Sequence, residues 1–333
     1  MAQCFALGVG FSTHGENGAV LDTLFPSPLL NPDVEYADAI GQLSEGVQSI
    51  TPETAQKLNA ASDQPLVDPG LIDLDKPLTA VRLDKDSPIQ STAEAYLKLH
   101  LLSHRLTLPN TLNLDGIFAH LPNLAWTTDG PIEVAALTQA QLRARAEGRH
   151  IEVMGIDKFP KMVNYVMPEG VRIADASRIR LGAYLGDGTT VMHEGFVNFN
   201  AGSEGPNMVE GRISQGVFIE AGTDLGGSSS TQGTLSGGGE ITITIGKNCL
   251  VGANAGTGIP LGDRCTIEAG LYITAGTVVT VVDENREEVR KAKARELAGN
   301  SDMLFIRDSL TGKVLCRTNR KAIELNDALH SHN

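Results

Sequence analysis

"RLGAYLGDGTTVMHEGFVNFNAG", residues 180–202, carries Leu185, Val191 and Val197, aliphatic side chains six positions apart. The rhythm begins before this stretch, at Ile173 and Ile179. It returns at Ile213, Ile219 and Leu225, at Ile245 and Val251, and at Leu261, Ile267, Ile273 and Val279. Four positions after these residues the side chains are mostly small: Ser177, Ala183, Thr189, Ala201, Val217, Thr223, Ser229, Cys249, Ala255, Cys265 and Thr277, with Leu271 the bulky member. Neither the 3.6-residue period of a helix nor the alternation of a strand produces a six-residue rule. A hexapeptide β-helix does. Each hexad supplies one short strand and a corner, stacked coils bury the aliphatic position in a narrow interior, and the second inward position must be small.

The register is interrupted twice, by "SEGPNMVEGR" at 203–212 and by "TQGTLSGGGEITIT" at 231–244. A repeat built for stability alone gains nothing from such breaks, so both are expected to be loops that carry binding groups on a rigid scaffold. In an extended segment Glu210 and Arg212 project on the same side. A carboxylate so placed can act as a nucleophile or a base. The guanidinium can grip a substrate carboxylate with two hydrogen bonds. The plainer alternative is a surface ion pair contributing ~0–1 kcal/mol.

Outside the repeat the chain reads differently. Residues 1–108 mix short apolar runs with "STAEAYLKLHLLSHRL", a helix capped by Ser91 or Thr92, and predict an α/β domain. Residues 109–165 predict a connecting α/β lobe. There "DGPIEVAALTQAQLRARAEGRH" reads as a helix with Pro131 near its first turn and Gly148 near its end, followed by the strand-like "IEVMGI". The solenoid with its loops takes residues 166–282. In the capping segment, 283–333, "DENREEVRKAKAREL" reads as a charged loop or helix, and "MLFIRDSLTGKVLCRT" as two strands joined around Thr311 and Gly312.

Composition limits the partners. A chain of 333 residues with net charge -13 and a pI near 5.1 is a poor match for duplex nucleic acid or an anionic membrane, so an anionic ligand must be met by local basic groups. The N-terminus lacks a basic n-region, and no apolar run approaches the roughly 18 residues of a span, which points to a cytoplasmic protein. Cys4, Cys249, Cys265 and Cys316 form no CxxC pair and are expected to be reduced core thiols. His100 and His104, four apart on a helix, are expected to be surface or packing residues rather than metal ligands, and "GGSSSTQGTLSGGG" lacks the GK[ST] ending of a phosphate loop.

Five segments, "RLGAYLGDGTTVMHEGFVNFNAG", "MVEGRIS", "GTLSGGG", "GANAGTGIPLGD" and "EAGLYITAGT", together resemble the tetrahydrodipicolinate N-succinyltransferases of lysine and diaminopimelate biosynthesis, most of all their longer branch. The match is dense from 165 to 280, continues through "KAREL" and residues 305–309, and is weak in the first 120 residues. The resemblance implies a mainly β protein: a left-handed parallel β-helix with an N-terminal α/β domain and a short C-terminal extension. It implies a homotrimer with coenzyme A in a groove between neighbouring solenoids, and succinyl transfer from succinyl-CoA to the amine of L-2-amino-6-oxopimelate, the opened acceptor.

On the family's pattern Glu210 is the catalytic residue, taking the acyl group as an anhydride or assisting proton transfer, with Arg212 beside it as a binding residue. Gly227 and Ser230 in "LGGSSS", Ala253, Glu268 with Ala269, and Gly276 match coenzyme-contacting places. Most are small, letting a pantetheine arm reach the backbone. Lys293, and Ile306, Arg307, Asp308 and Ser309, match the C-terminal part of that site, where Lys293 and Arg307 would face phosphates. Some members of the branch hold magnesium on the trimer axis through an early aspartate and the glutamate of "MHEG". Glu194 is that glutamate, but Ser177 stands where the aspartate would be.

Rival functions fit less well. A zinc-dependent β-helix hydratase needs several histidines, and residues 165–285 hold only His193, whose hexad position predicts packing. An acyltransferase relying on a histidine base would leave "MVEGRIS" unexplained, and so would a non-catalytic trimeric scaffold.

Overall fold

The computed structural model describes residues 4–33, 36–60, 65–74, 76–233 and 242–318. The chain divides into two compact units, residues 1–107 with 111–166, and 108–110 with 167–333.

In the first unit Ala6–His14 forms the centre of an antiparallel sheet with Val20–Leu24, Leu29–Leu30 and Leu78–Leu83, the last pairing in turn with Gly46–Ile50. The helix Thr92–Ser103 begins at Ser91, whose side chain accepts from the Glu94 amide, while the Glu94 carboxylate accepts from Gln90 N–H; this reciprocal cap starts a helix whose residues from Ala93 onward are all buried. Burial there demands full hydrogen bonding. Lys98 Nζ donates to Asp86 Oδ1, Ser87 O and Asn113 O, each at 2.6 Å. His100 bonds Tyr96 O through Nδ1 at 2.7 Å and accepts from Phe25 N–H through Nε2 at 3.2 Å, so both ring nitrogens are engaged by backbone groups inside the core.

A smaller sheet orders Gly130–Glu133, Leu124–Thr127 and Val153–Asp157. Pro131 therefore lies in a strand and not in the first turn of a helix, which instead spans Leu137–Ala146. Its strand is at the sheet edge, where a residue without N–H is tolerated.

The second unit is the expected hexapeptide solenoid, a parallel β-helix with three faces. One face stacks 196–197, 212–213, 230–231, 256–257 and 272–273; the second stacks 183–185, 201–203, 218–219 and 244–245; the third runs from 172–173 through 189–191, 207–209, 224–225 and 250–251 to 266–267. The inward aliphatic residues are sealed: Ile179, Leu185, Val197, Ile213, Ile219, Ile245, Val251 and Ile267 are all at 0% exposure. Cys249 and Cys265 fill small inward slots as free thiols.

The first break in the repeat is not a loop. Ser203 and Val209 take the inward slots at the regular six-residue step, with Ser203 aligned to Leu185 and Val209 to Val191. What changes is the next step, from Val209 to Ile213, which is four residues instead of six. The second break does add chain, but much of it, residues 234–241 with most of "GTLSGGG", lies outside the described residues.

At the C-terminal end Met303–Arg307 stacks on Thr266–Ile267 and pairs with Val314–Thr318, the two expected strands. The charged segment before them is neither loop nor helix over Glu288–Lys293. It is a strand, because pairing with Val278–Val282 satisfies backbone groups that helical propensity alone would leave to local bonds.

His100 supplies a pH prediction. Burial, which penalises the charged imidazolium, pushes its pKa from the ordinary 6.5 down to about 3. Between these values the unfolded chain binds a proton that the folded chain refuses, so this residue's contribution to stability is complete above about pH 6.5 and is lost as pH falls toward about 3. Thermal melts of wild type and His100→Gln should show the wild type losing stability more steeply over that window. Parallel pH profiles would show that His100 is not titrating on unfolding.

Candidate active site

The corner joining the third face to the first gathers most of the residues singled out by sequence. In the coil below Glu210, Val191 and Val197 are separated by the turn Met192–Gly195; in the coil above, Leu225 and Thr231 are separated by Gly226–Ser229 and Ser230. At the shortened step Glu210 and Gly211 turn the chain alone before Arg212 re-enters the face. With two residues fewer, this corner is set back between neighbours that overhang it. The recess is a cleft of about 470 Å³ lined by Arg178, His193, Glu194, Phe196, Arg212 and Ser228, with Gly211 and Ser229 buried behind them.

Contacts across the recess confirm its shape. Ser228 Oγ donates to Glu194 Oε2 at 2.8 Å, although the coil of Glu210 lies between their two coils. A Cβ added to Gly227 would lie 3.5 Å from Glu210 Oε2 and 3.6 Å from Glu194 Oε2, ordinary contact distances, so both carboxylates converge beside Gly227. Arg178 braces the lower rim, donating from Nε to Gly195 O and from Nη2 to Glu194 O, both at 2.9 Å. Arg212 Nε donates to Ser230 Oγ at 3.2 Å. Among the described residues Arg212 makes no ion pair with Glu210, so the carboxylate beside it is not tied up by the guanidinium. His193, expected to pack, is exposed on the cleft wall.

Above the recess the same corner repeats. Ala253 sits in the turn after Leu250–Val251, and Glu268 with Ala269 in the turn after Thr266–Ile267. Ile306 and Arg307 end the strand stacked on Thr266–Ile267 and Asp308 and Ser309 follow it, with Arg307 N–H donating to Glu268 Oε2 at 2.7 Å. Two of these residues have structural partners. Glu268 holds the C-terminal strand, and Asp308 accepts from Thr311 Oγ1 and Leu310 N–H, bonds that hold its carboxyl below the usual carboxylate range. Gly276 and Lys293 lie elsewhere, Gly276 in the turn after Tyr272–Ile273 and Lys293 opposite Val278.

The described residues include no group of three His, Cys, Asp or Glu side chains that could hold a metal. Ser177 is occupied locally, its Oγ and N–H both donating to Asp175 Oδ1. One chain alone does not assemble a magnesium cage around Glu194.

Sequence reasoning missed Arg178, Phe196 and Ser228. A signal for the first two was present: Arg178, Phe196 and Arg212 each immediately precede an inward residue, Ile179, Val197 and Ile213, and hence share one place on successive coils.

The fold is a hexapeptide-repeat solenoid with a cleft at one corner. A family model described as "Hexapeptide repeat of succinyl-transferase" matches residues 242–275, and one described as "Tetrahydrodipicolinate N-succinyltransferase middle" matches residues 121–161. The chain is 54% identical to the 2,3,4,5-tetrahydropyridine-2,6-dicarboxylate N-succinyltransferase of Pseudomonas putida over 339 residues, covering 99% of this chain and 98% of that protein. It is 50% identical to the protein of the same name from Vibrio cholerae, covering 99% of each. A solved structure from Campylobacter jejuni, described as a putative 2,3,4,5-tetrahydropyridine-2-carboxylate N-succinyltransferase, superposes with a TM-score of 0.85 at 31% identity over 97% of this chain and 94% of that one. The chain belongs to the tetrahydrodipicolinate N-succinyltransferase family.

The set-back corner has no room for a side chain at Gly211, where a Cβ would meet Ser229 Oγ at 2.1 Å and Ser229 O at 2.6 Å. Gly211→Ala should therefore cost about 1–3 kcal/mol of stability, the usual range for forcing atoms into a packed site. Chemical denaturation with an unchanged midpoint would show that the corner is looser than its geometry indicates.

Proposed function

We propose that this chain transfers the succinyl group of succinyl-CoA to the amine of L-2-amino-6-oxopimelate, with Glu210 as the catalytic residue. The observation that carries this reading is the recess itself: the shortened corner after Val209 presents Glu210 beside Gly227, below the small exposed corner residues Ala253 and Ala269. The thioester of a coenzyme laid along Ser230, Ala253, Ala269 and residues 306–309 would arrive at Gly227. Gly276, with Lys293 and Arg307 toward the phosphates, would bind the far end.

The attacking amine nitrogen forms a bond to the thioester carbonyl carbon, the carbon–sulfur bond breaks, and coenzyme A leaves as the thiol. An alkyl ammonium, with a pKa of about 10, must first lose a proton. Glu210 either takes that proton or attacks the thioester first, forming a mixed anhydride that the amine then opens. The two routes differ in one observable: only the anhydride route releases thiol in a single-turnover burst without acceptor.

Three copies of the chain about an axis are proposed as the working assembly, consistent with an open cleft at the solenoid edge. In such a trimer three copies of Glu194 could supply oxygen ligands to a magnesium ion, which would offset their mutual repulsion and have no part in the acyl transfer. We place the protein in the cytoplasm; among the described residues no helix is long and apolar enough to cross a membrane.

The testing experiment follows thiol release from succinyl-CoA with and without acceptor. Wild type should turn over, and Glu210→Gln, which keeps shape but removes charge, should lose at least about a hundredfold in kcat while KM for succinyl-CoA stays near wild type. Retention of more than half the wild-type kcat would remove Glu210 from the chemistry and make His193 the first candidate base.

A further inference from the structure

Two anions must share this cleft if the proposed transfer occurs. The succinyl group ends in a carboxylate, and the acceptor carries a carboxylate on the carbon that bears its amine. Glu194 lines the cleft and Glu210 stands beside it near Gly227, so the substrates can approach only where cations offset the charge. Two guanidiniums line the cleft, and only one of them, Arg212, belongs to the "VEGR" segment.

The coil stack orders them. Ile179 bridges to Val197, Phe196 pairs with Arg212, and Arg212 with Ser230, so Arg178, Phe196, Arg212 and Ser230 occupy one place on four successive coils. At the usual spacing of strands the backbones of Arg178 and Arg212 lie about 10 Å apart, with Phe196 between them. The bonds from Arg178 Nε and Nη2 to the Gly195 and Glu194 carbonyls fix the planar fork, and Nη1 has no partner among the described residues. Arg212 leans the other way, held by Ser230 on the side from which the coenzyme column descends.

We propose that Arg178 seats the carboxylate adjacent to the acceptor's amine, leaving Arg212 for the succinyl carboxylate. This assignment rests on the succinyl transfer proposed above. It makes Arg178 the residue by which the site demands an α-amino acid end and rejects a simple amine. The acceptor enters from the N-terminal side of the recess, the thioester from the C-terminal side, and amine and carbonyl meet at the corner of Glu210.

The test compares two acceptors, 2-aminopimelate and 6-aminohexanoate, the second being the same chain without the carboxylate on the amine-bearing carbon. With Arg178→Gln, kcat/KM for 2-aminopimelate should fall at least about 30-fold, chiefly through KM, while kcat/KM for 6-aminohexanoate and KM for succinyl-CoA stay within about twofold. Discrimination between the acceptors should collapse accordingly. Arg178→Lys should recover part of it, since charge survives without the planar fork. An equal loss with both acceptors would show that Arg178 only braces the turn at Glu194 and Gly195, and would overturn the assignment. So would an unchanged preference in an active variant. Should wild type transfer succinyl to neither 2-aminopimelate nor the oxo acceptor, the succinyl-transfer reading fails and this assignment falls with it.

Discussion

Parallel pairing of each coil on the next is the interaction on which the rest of this solenoid depends. Backbone hydrogen bonds between coils fix the register, so that Val191 sits on Val209 and Leu225 on Val251. Inward side chains then have one narrow column to fill. Once register is set, the length of a corner is the one quantity free to vary without disturbing the faces. A longer corner projects into solvent, and a shorter one leaves a recess between its neighbours.

The site follows from that freedom. Two residues fewer between Val209 and Ile213 set Glu210 back, while the full-length corners on either side contribute Glu194 from below and Gly227 with Ser228 from above. Rigid faces hold all of these groups, so the cleft needs no mobile loop to bring its side chains together. Gly211 is required where the corner closes on Ser229. The functional chemistry of this unit is thus built from departures in corner length, with the core unchanged beneath.

Much of the fold was legible in the sequence because the six-residue rule is a direct imprint of coil geometry. The inward residues read from it, Ile213, Ile219 and Leu225 among them, are sealed from solvent. The break at 203–212 was misread as a loop because the rule was framed for aliphatic side chains. Ser203 is fully buried in an inward slot, where its hydroxyl donates to Asn207 Oδ1, and Thr257 occupies another with its hydroxyl on Ile259 O. A hydrogen-bonded hydroxyl fills such a slot as well as a methyl group does, and it looks like an interruption only in sequence. Glu210 and Arg212 were legible by motif. Arg178 and Phe196 were not, since they enter the cleft through stacking of residues sixteen or eighteen positions apart, which becomes visible only when each coil's length is counted, and Ser228 enters it from a corner two coils away from Glu194. The helix expected at Pro131 and the loop or helix expected at 288–293 failed for a simpler reason: in each case a neighbouring strand offered backbone partners.

The central claim is that a shortened corner creates the catalytic cleft, and a two-residue insertion, Gly-Ser, between Glu210 and Gly211 tests it most directly. The insertion restores the six-residue step without removing any side chain. The solenoid should keep its circular dichroism spectrum and melt within a few degrees of wild type, because hexads of regular length already stack above and below. Thiol release from succinyl-CoA in the presence of acceptor should fall to background. A folded insertion variant with wild-type turnover would contradict the account, because catalysis would then not depend on the recess.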